Sequence, residues 1–417
     1  MPHRDRNYAS ARVFDHVTPH HKHASGRGAA AGTCTLGLLA GCAWLLLAAG
    51  CSSLLPPAQR VKVGYSRGFQ GMYGAVPVDG KWGFIDRTGE VRIRPRFDHV
   101  AGFNEGLARV GLSAEARGRH ARGRIAFITP AGDLAIEPMP LHVGDFSCGR
   151  ALFVKRDRHG VRRFGYLDKT GFWSIPPAYE AALPFSENRA AVRQGRNWGY
   201  IDTEGKMVIR PRYEKAYPFS GGLAQVMIDG RWGYVDRHGK IAVEANLLRA
   251  GPFHEGLAAA SRSGLFGYID RTGTFVIREL YAAARPFSEG LAAVQFLNRK
   301  WGFIGPQGRT IIRPNYDHAK SFSPAGLAPV NRGTDWTGTV MRLRPRPGGK
   351  WGYVNRDGEL VIDLQFRHAS RFTDGFARVG RTLRLAGIFP VGTRLCYIDT
   401  HANTIWKSSR ILPPDSD

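Results

Sequence analysis

Lys81-Trp82-Gly83-Phe84-Ile85-Asp86-Arg87-Thr88-Gly89, followed by VRIRPRFD over residues 91–98 and by Phe103-Asn104-Glu105-Gly106-Leu107-Ala108-Arg109-Val110, decides the fold. The same columns return at Trp198-Gly199-Tyr200-Ile201-Asp202 and again from Trp232, Phe266, Trp301 and Trp351. Degenerate copies begin near Ile125, Phe164 and Leu395. The second position of the motif falls at residues 83, 126, 165, 199, 233, 267, 302, 352 and 396, and a half unit at Phe69 to Val76 caps the start. A period of this size marks an array of units, each too small to fold alone, that bury their cores against one another.

Each unit reads as three short antiparallel strands. The first runs from Trp82 to Asp86. Asp86 to Gly89 is a three-residue hairpin loop with its glycine in the left-handed region. The second strand runs from Glu90 to about Phe97, with Pro95 marking a bulge or an edge, and the third covers roughly Gly106 to Val110. If Asp86 pairs with Glu90, Phe84 faces Arg92 and Trp82 faces Arg94. The same arithmetic sets Trp198 opposite Arg210, Phe266 opposite Arg278 and Trp301 opposite Arg313, a favourable stacking of cation on ring. The reading predicts an all-β chain, an open, twisted, β-solenoid-like stack of three-stranded units, with a many-bladed β-propeller as the alternative.

These columns resemble the bacterial WG-repeat family, over nearly everything from about residue 67 to 406. The resemblance implies a non-catalytic interaction scaffold, an expectation that rests on fold-level analogy.

Composition agrees with many short strands and tight turns: 52 glycines, 25 prolines and 11% aromatic residues in 417. The formal charge of +25 lies mostly beyond residue 50, so the body itself is basic and attracts anionic partners. Residues 36–50, LGLLAGCAWLLLAAG, form an apolar run too short to span a bilayer and of signal-peptide length. Leu47-Ala48-Ala49-Gly50-Cys51 resembles the lipobox of bacterial lipoproteins, which implies a lipidated Cys51 at the mature N-terminus. Ser52 at the next position implies the outer membrane, if the host has one. The expected organisation is 1–50 signal peptide with an N-terminal extension, 51–66 tether, 67–406 about nine repeats and 407–417 a C-terminal tail.

The repeated aspartates (Asp86, Asp168, Asp202, Asp236, Asp270, Asp399) sit where a carboxylate bonds turn N–H groups, and Thr129, Gly305 and Asn355 replace them elsewhere. They are read as turn residues rather than acid–base or calcium sites. His99, His318 and His368 share a column and read as polar corner residues rather than a metal ladder. Cys148 and Cys396 read as two free thiols, although a closed ring would bring early and late copies together. No metal, nucleotide or hydrolase motif appears in the body, so neither enzyme activity nor a cofactor is expected.

Function is expected on the inserted loops, which scaffolds use for binding. Residues 112–124 and 331–349 are basic, and the second contains Trp336 beside Arg342, Arg344 and Arg346. The leading expectation is a lipid-anchored envelope scaffold whose partners are the membrane, through Cys51, and another envelope protein. The alternative is a binder of an anionic envelope polymer such as lipopolysaccharide or peptidoglycan; no nucleic acid is expected.

Overall fold

Behind every Trp-Gly pair stands a break in the neighbouring strand. In the computed structural model, which describes residues 74–78, 80–112, 124–140, 142–333, 349–385 and 389–412, Trp82 pairs with Phe97 and Phe84 with Ile93. Gly83 alone therefore faces three residues, Arg94, Pro95 and Arg96, an enlarged β-bulge. The bulged backbone folds over Gly83, where a Cβ would lie under 3.0 Å from Ile93 and Pro95 backbone atoms. Gly165, Gly199, Gly233, Gly267, Gly302 and Gly352 meet the same obstruction. The glycine of the motif is there to admit the bulge.

Two repeats lack that glycine, and both lack the obstruction. Opposite Ala126, Ile125 pairs with Met139 and Phe127 with Ile136, a bulge one residue smaller. At Cys396 the pairing with Lys407 is direct, and the irregularity has moved to between Arg394 and Cys396.

Among the described residues there are nine antiparallel sheets, one three-stranded and eight four-stranded. Sheet 1 comprises β1 (Gly74–Val78), β2 (Lys81–Ile85) and β3 (Val91–Phe97). Sheets 2 to 9 follow along the chain at 99–139, 142–179, 181–213, 215–247, 249–281, 283–316, 318–366 and 368–412. The hairpin loop is as expected: Asp86 N–H donates to Glu90 at 2.9 Å, and Gly89 has φ 88°. Each four-stranded sheet also has a strand the sequence reading did not place, as short as His318–Ala319, one residue after the preceding sheet ends.

Adjacent sheets are joined by one repeated set of contacts. The third-strand aromatic of one sheet packs on the Phe of the next, as in Tyr200–Phe219 at 5.0 Å, Tyr234–Phe253 at 4.8 Å and Phe303–Phe322 at 4.9 Å. Each such pair is worth about 0.5–1.5 kcal/mol beyond its burial. The tyrosine hydroxyls also donate to the next sheet's carbonyls, Tyr200 to Tyr217 at 2.8 Å and Tyr234 to Gly251 at 2.7 Å.

The same aromatic also shares a core cluster with the third-strand Ile or Val of the following sheet, as in Tyr166 with Ile201, Tyr234 with Ile269 and Tyr353 with Ile398. That step recurs once more between the two ends of the array. Tyr397 of sheet 9 shares a core cluster with Ile85 of sheet 1, flanked by Phe376 and Trp406. Gly89 lies against the backbone of Ile405, as Gly132 lies against Ile93 one interface further on. The array is therefore closed, a β-propeller of eight four-stranded blades with the three-stranded sheet seated between the last and the first. This corrects the expected open stack and establishes the alternative. Closure follows because each interface adds the same turn and the ninth interface finds a partner.

Candidate functional site

The recurring polar residues are occupied in holding the frame. Asp86 Oδ1 accepts the Thr88 hydroxyl at 2.6 Å, the Thr88 N–H at 2.8 Å and the Glu90 N–H at 3.1 Å, which with Arg92 hold its carboxyl well below the usual range. Asp236 and Asp399 cap their turns in the same way.

The arginine column departs from expectation. Trp82 lies opposite Phe97, so Arg94 is carried inside the bulge and does not stack on Trp82. Arg94, Arg210, Arg278 and Arg313 are all exposed on the last strand of their sheets. Charge and proline on such an edge discourage pairing with another chain. The register error came from counting across an unbroken hairpin.

Two cations that do cover motif aromatics stand directly after the short first strand, which the sequence reading missed. Arg285 lies 5.1 Å from the Trp301 ring centroid and donates to the Ala319 carbonyl at 2.9 Å. Lys320 lies 4.9 Å from the Trp351 centroid and donates to the Ala369 carbonyl at 2.6 Å. In sheets 4 and 5 the same position holds Leu183 and Tyr217, which pack on Trp198 and Trp232. This column thus changes from Leu183 and Tyr217 to Arg285 and Lys320 in sheets 7 and 8, while in sheet 6 Arg249, two residues earlier, lies 5.4 Å from the Phe266 centroid.

The cationic sector spans sheets 7 to 9. Burial, with the charges of Arg285 and Arg378, pulls the Lys320 ammonium down to about 8. Burial also lowers Arg285. Arg371, lowered by burial and opposed by Glu289, reaches from sheet 9 to the Ser288 hydroxyl at 3.1 Å and to the Phe322 carbonyl. His318 stands beside Trp351, ring centroids 6.4 Å apart, and burial lowers its pKa. Between them Asn331 is fully buried with neither amide atom hydrogen-bonded. Half-buried cations are costly, and an arriving anion relieves that cost. The sequence carried one signal for this cluster: Arg285 and Lys320 are cations in a column that elsewhere holds Leu183, Tyr217, Gly251 and Ser370.

Cys51, Trp336, Arg342, Arg344 and Arg346 lie outside the described residues. The stems of the two basic insertions are described: Leu112 and Arg124 end paired strands in sheet 2, and Arg332 and Lys350 do so in sheet 8. Both insertions join the second and third strands, and closure sets sheets 8, 9, 1 and 2 in succession. His99, His318 and His368 each begin a first strand on a different sheet, and among the described residues no group of three or more metal-type ligands occurs. Cys148 and Cys396 are both free, as expected, and burial raises the Cys396 thiol.

A family model described as WG containing repeat matches residues 82–112, 164–198, 198–232, 232–265, 266–301, 301–333 and 351–380. A search of curated proteins found no match. Among solved structures, AztD from Citrobacter koseri aligns at 12% identity and a TM-score of 0.38, over 82% of this chain and 95% of that one. BamB from Moraxella catarrhalis aligns at 12% and 0.32, over 83% and 90%. PorZ, described as an essential surface component of the type-IX secretion system of Porphyromonas gingivalis, aligns at 11% and 0.29 over 80% of this chain. The chain spans 45% of the length of PorZ.

Proposed function

The chain belongs to the family of WG containing repeats, and from that premise we propose that it is a lipid-anchored, non-enzymatic scaffold of the bacterial envelope that holds an anionic partner protein. The carrying observation is the pair Arg285 and Lys320, cations drawn in over the Trp301 and Trp351 rings and held there by carbonyl oxygens rather than carboxylates. Such a pair favours an acidic surface over a neutral one, since association supplies a counter-charge. The lipobox at Leu47 to Cys51 supports the anchor, and the Ser52 that follows it supports the outer membrane.

A second reading has its own observation. The basic insertions 112–124 and 331–349 rise from the same end of sheets two steps either side of the closing seam. A polymer such as lipopolysaccharide or peptidoglycan, longer than one sheet, would engage both. Polymer binding would fall steeply with salt.

The two are separated by cross-linking in intact cells beside binding of purified lipopolysaccharide and peptidoglycan. The leading reading expects a discrete cross-linked protein that is lost in Lys320→Met with Arg285→Met, and retained when Arg342, Arg344 and Arg346 become alanine. The polymer reading expects the reverse. Cross-links unchanged in both variants, with no polymer bound, would overturn both. The anchor has its own check in the mass of the N-terminal peptide: an acylated Cys51, absent in Cys51→Ala, is expected.

A further inference from the structure

One interface of the ring lacks an acid that its neighbours use. Where the first strand turns into the second, seven of the eight four-stranded sheets place two successive residues in the left-handed region. The first of them, Glu105, Cys148, Glu187, Gly221, Glu255, Glu289 or Asp374, has φ between 50° and 62°; sheet 8 has Pro324 and Ala325 there instead. The side chain of that first residue reaches into the next sheet. Glu187 accepts the Gly222 N–H at 3.0 Å and the Arg237 guanidinium at 2.8 Å. Glu105 accepts the Gly149 N–H at 2.9 Å and the Lys169 ammonium at 3.4 Å. Glu255 accepts the N–H groups of Glu289 at 2.6 Å and Gly290 at 3.0 Å. Glu289 takes the Arg356 guanidinium at 2.9 Å. Even Cys148 follows the pattern, with the Asn188 N–H 3.4 Å from its sulfur.

Acid and base are matched where Glu105 meets Lys169, Glu187 meets Arg237 and Glu289 meets Arg356; Glu255, with Pro306 in that column of the next sheet, takes only the two amides. Where the acid is missing, at Cys148, the next sheet offers Thr203 in place of a cation. Between sheets 5 and 6 the match fails. The acid position is Gly221, yet the next sheet keeps Arg271. Its guanidinium lies over Gly222, 3.0 Å from where a Cβ would stand, and has no hydrogen bond or ion pair among the described residues. The Glu255 and Gly256 N–H groups, left-handed at φ 52° and 82°, also meet no acceptor there. Consecutive amides of this kind form an anion-binding nest.

We infer that Arg271 with the amides of Glu255 and Gly256 forms a carboxylate socket, which takes a glutamate or aspartate side chain offered by a partner protein. Glu187, one interface away, shows the bound arrangement within the same molecule. Arg271 opens onto a depression of about 570 Å³ lined also by Glu187, Gly221, Gly222, Asp236, Arg237 and His238. The two acids in it are already engaged, Glu187 with Arg237 and Asp236 with its own turn. Arg271 is therefore the cation left for an incoming carboxylate. A bidentate guanidinium–carboxylate pair supported by two amides exceeds an ordinary exposed ion pair in strength and in directional demand.

This deepens the scaffold reading and rests on it only for the identity of the carboxylate's owner. The test is amide and arginine NMR of the full chain in detergent micelles, titrated with N-acetyl-glutamate methylamide, acetate and inorganic phosphate. Both carboxylates should shift the Glu255 and Gly256 amides and the Arg271 side chain saturably, and phosphate should bind at least tenfold more weakly. Arg271→Ala and Gly221→Glu should each abolish the shifts, the second because a glutamate in cis fills the socket. Unmoved Gly256 in the native chain, shifts surviving in either variant, or phosphate matching the carboxylates would overturn the socket. Cross-links through Lys320 that persist in Gly221→Glu keep the scaffold reading separate from that failure.

Discussion

Sheet 5 and sheet 9 are built from the same repeat and treat their central strand differently. In sheet 5 Trp232 pairs with Leu247 and Tyr234 with Val243, and the bulge between them lies on Gly233. In sheet 9 Tyr397 pairs with Trp406 and Cys396 with Lys407, without a bulge at that point. The side chain has returned where the obstruction has gone. A residue that recurs in this chain therefore reports a backbone demand, and residues that fail to recur are where function is sought.

The comparison breaks most readily at the glycine. Gly233→Val forces a branched side chain into the bulged backbone of Val243 and Ala245, and should cost at least about 3 kcal/mol or prevent folding. Ala126→Val, in the sheet with the smaller bulge, should cost clearly less. Denaturant titration of both checks the pair, and equal losses would sever the link between glycine and bulge.

The seam comes next. Ile85→Ala removes a buried side chain that joins sheet 1 to sheet 9, and should cost about 2–5 kcal/mol, as Ile201→Ala does at a regular interface. A much smaller loss at Ile85 than at Ile201 would mean that the ends are only loosely apposed.

A third difference concerns Lys320 against Leu183 in the same column. The Lys320 pKa falls from 10.5 to about 8 on folding, by burial first and then by Arg285 and Arg378. Between these values the unfolded chain holds the proton and the folded chain has released it, so stability contributed by this group rises with pH. Lys320→Met should flatten the stability profile between pH 8 and 10.5, and Leu183→Met should leave it unchanged. Thermal melts across that range give the comparison.

The smallest effect separates Tyr234 from Phe303, which serve the same interface with and without a hydroxyl. Tyr234→Phe loses the hydrogen bond to Gly251 and should cost about 1 kcal/mol. No measurable change would show that the inter-sheet hydroxyls add nothing to the ring packing.

Much of this frame was legible in the sequence. The nine repeat starts, the Asp86-to-Gly89 loop and the bulge at Pro95 are local, and local chemistry writes itself into composition and spacing. The first strands were not legible, since two residues such as His318-Ala319 leave no alternation to detect. Closure was hidden too, because the seam residues Ile85 and Tyr397 look like any other members of their columns. The Arg–Trp register failed for a definite reason: the bulge adds two residues that counting along a hairpin cannot foresee. The cationic sector and the Arg271 socket needed the interfaces, since each is made of groups that meet only where neighbouring sheets pack.

Closure of the ring is the claim on which the seam and the succession of sheets 8, 9, 1 and 2 depend. It is tested by spin labels at Thr88 and His401, the same column in sheets 1 and 9, in a chain lacking its native cysteines. The reference pair is His238 and Thr272, that column in adjacent sheets 5 and 6. A closed ring predicts one narrow distance distribution shared by both pairs. A distance at the seam far longer or far broader than the reference would contradict the closed propeller and restore the open array.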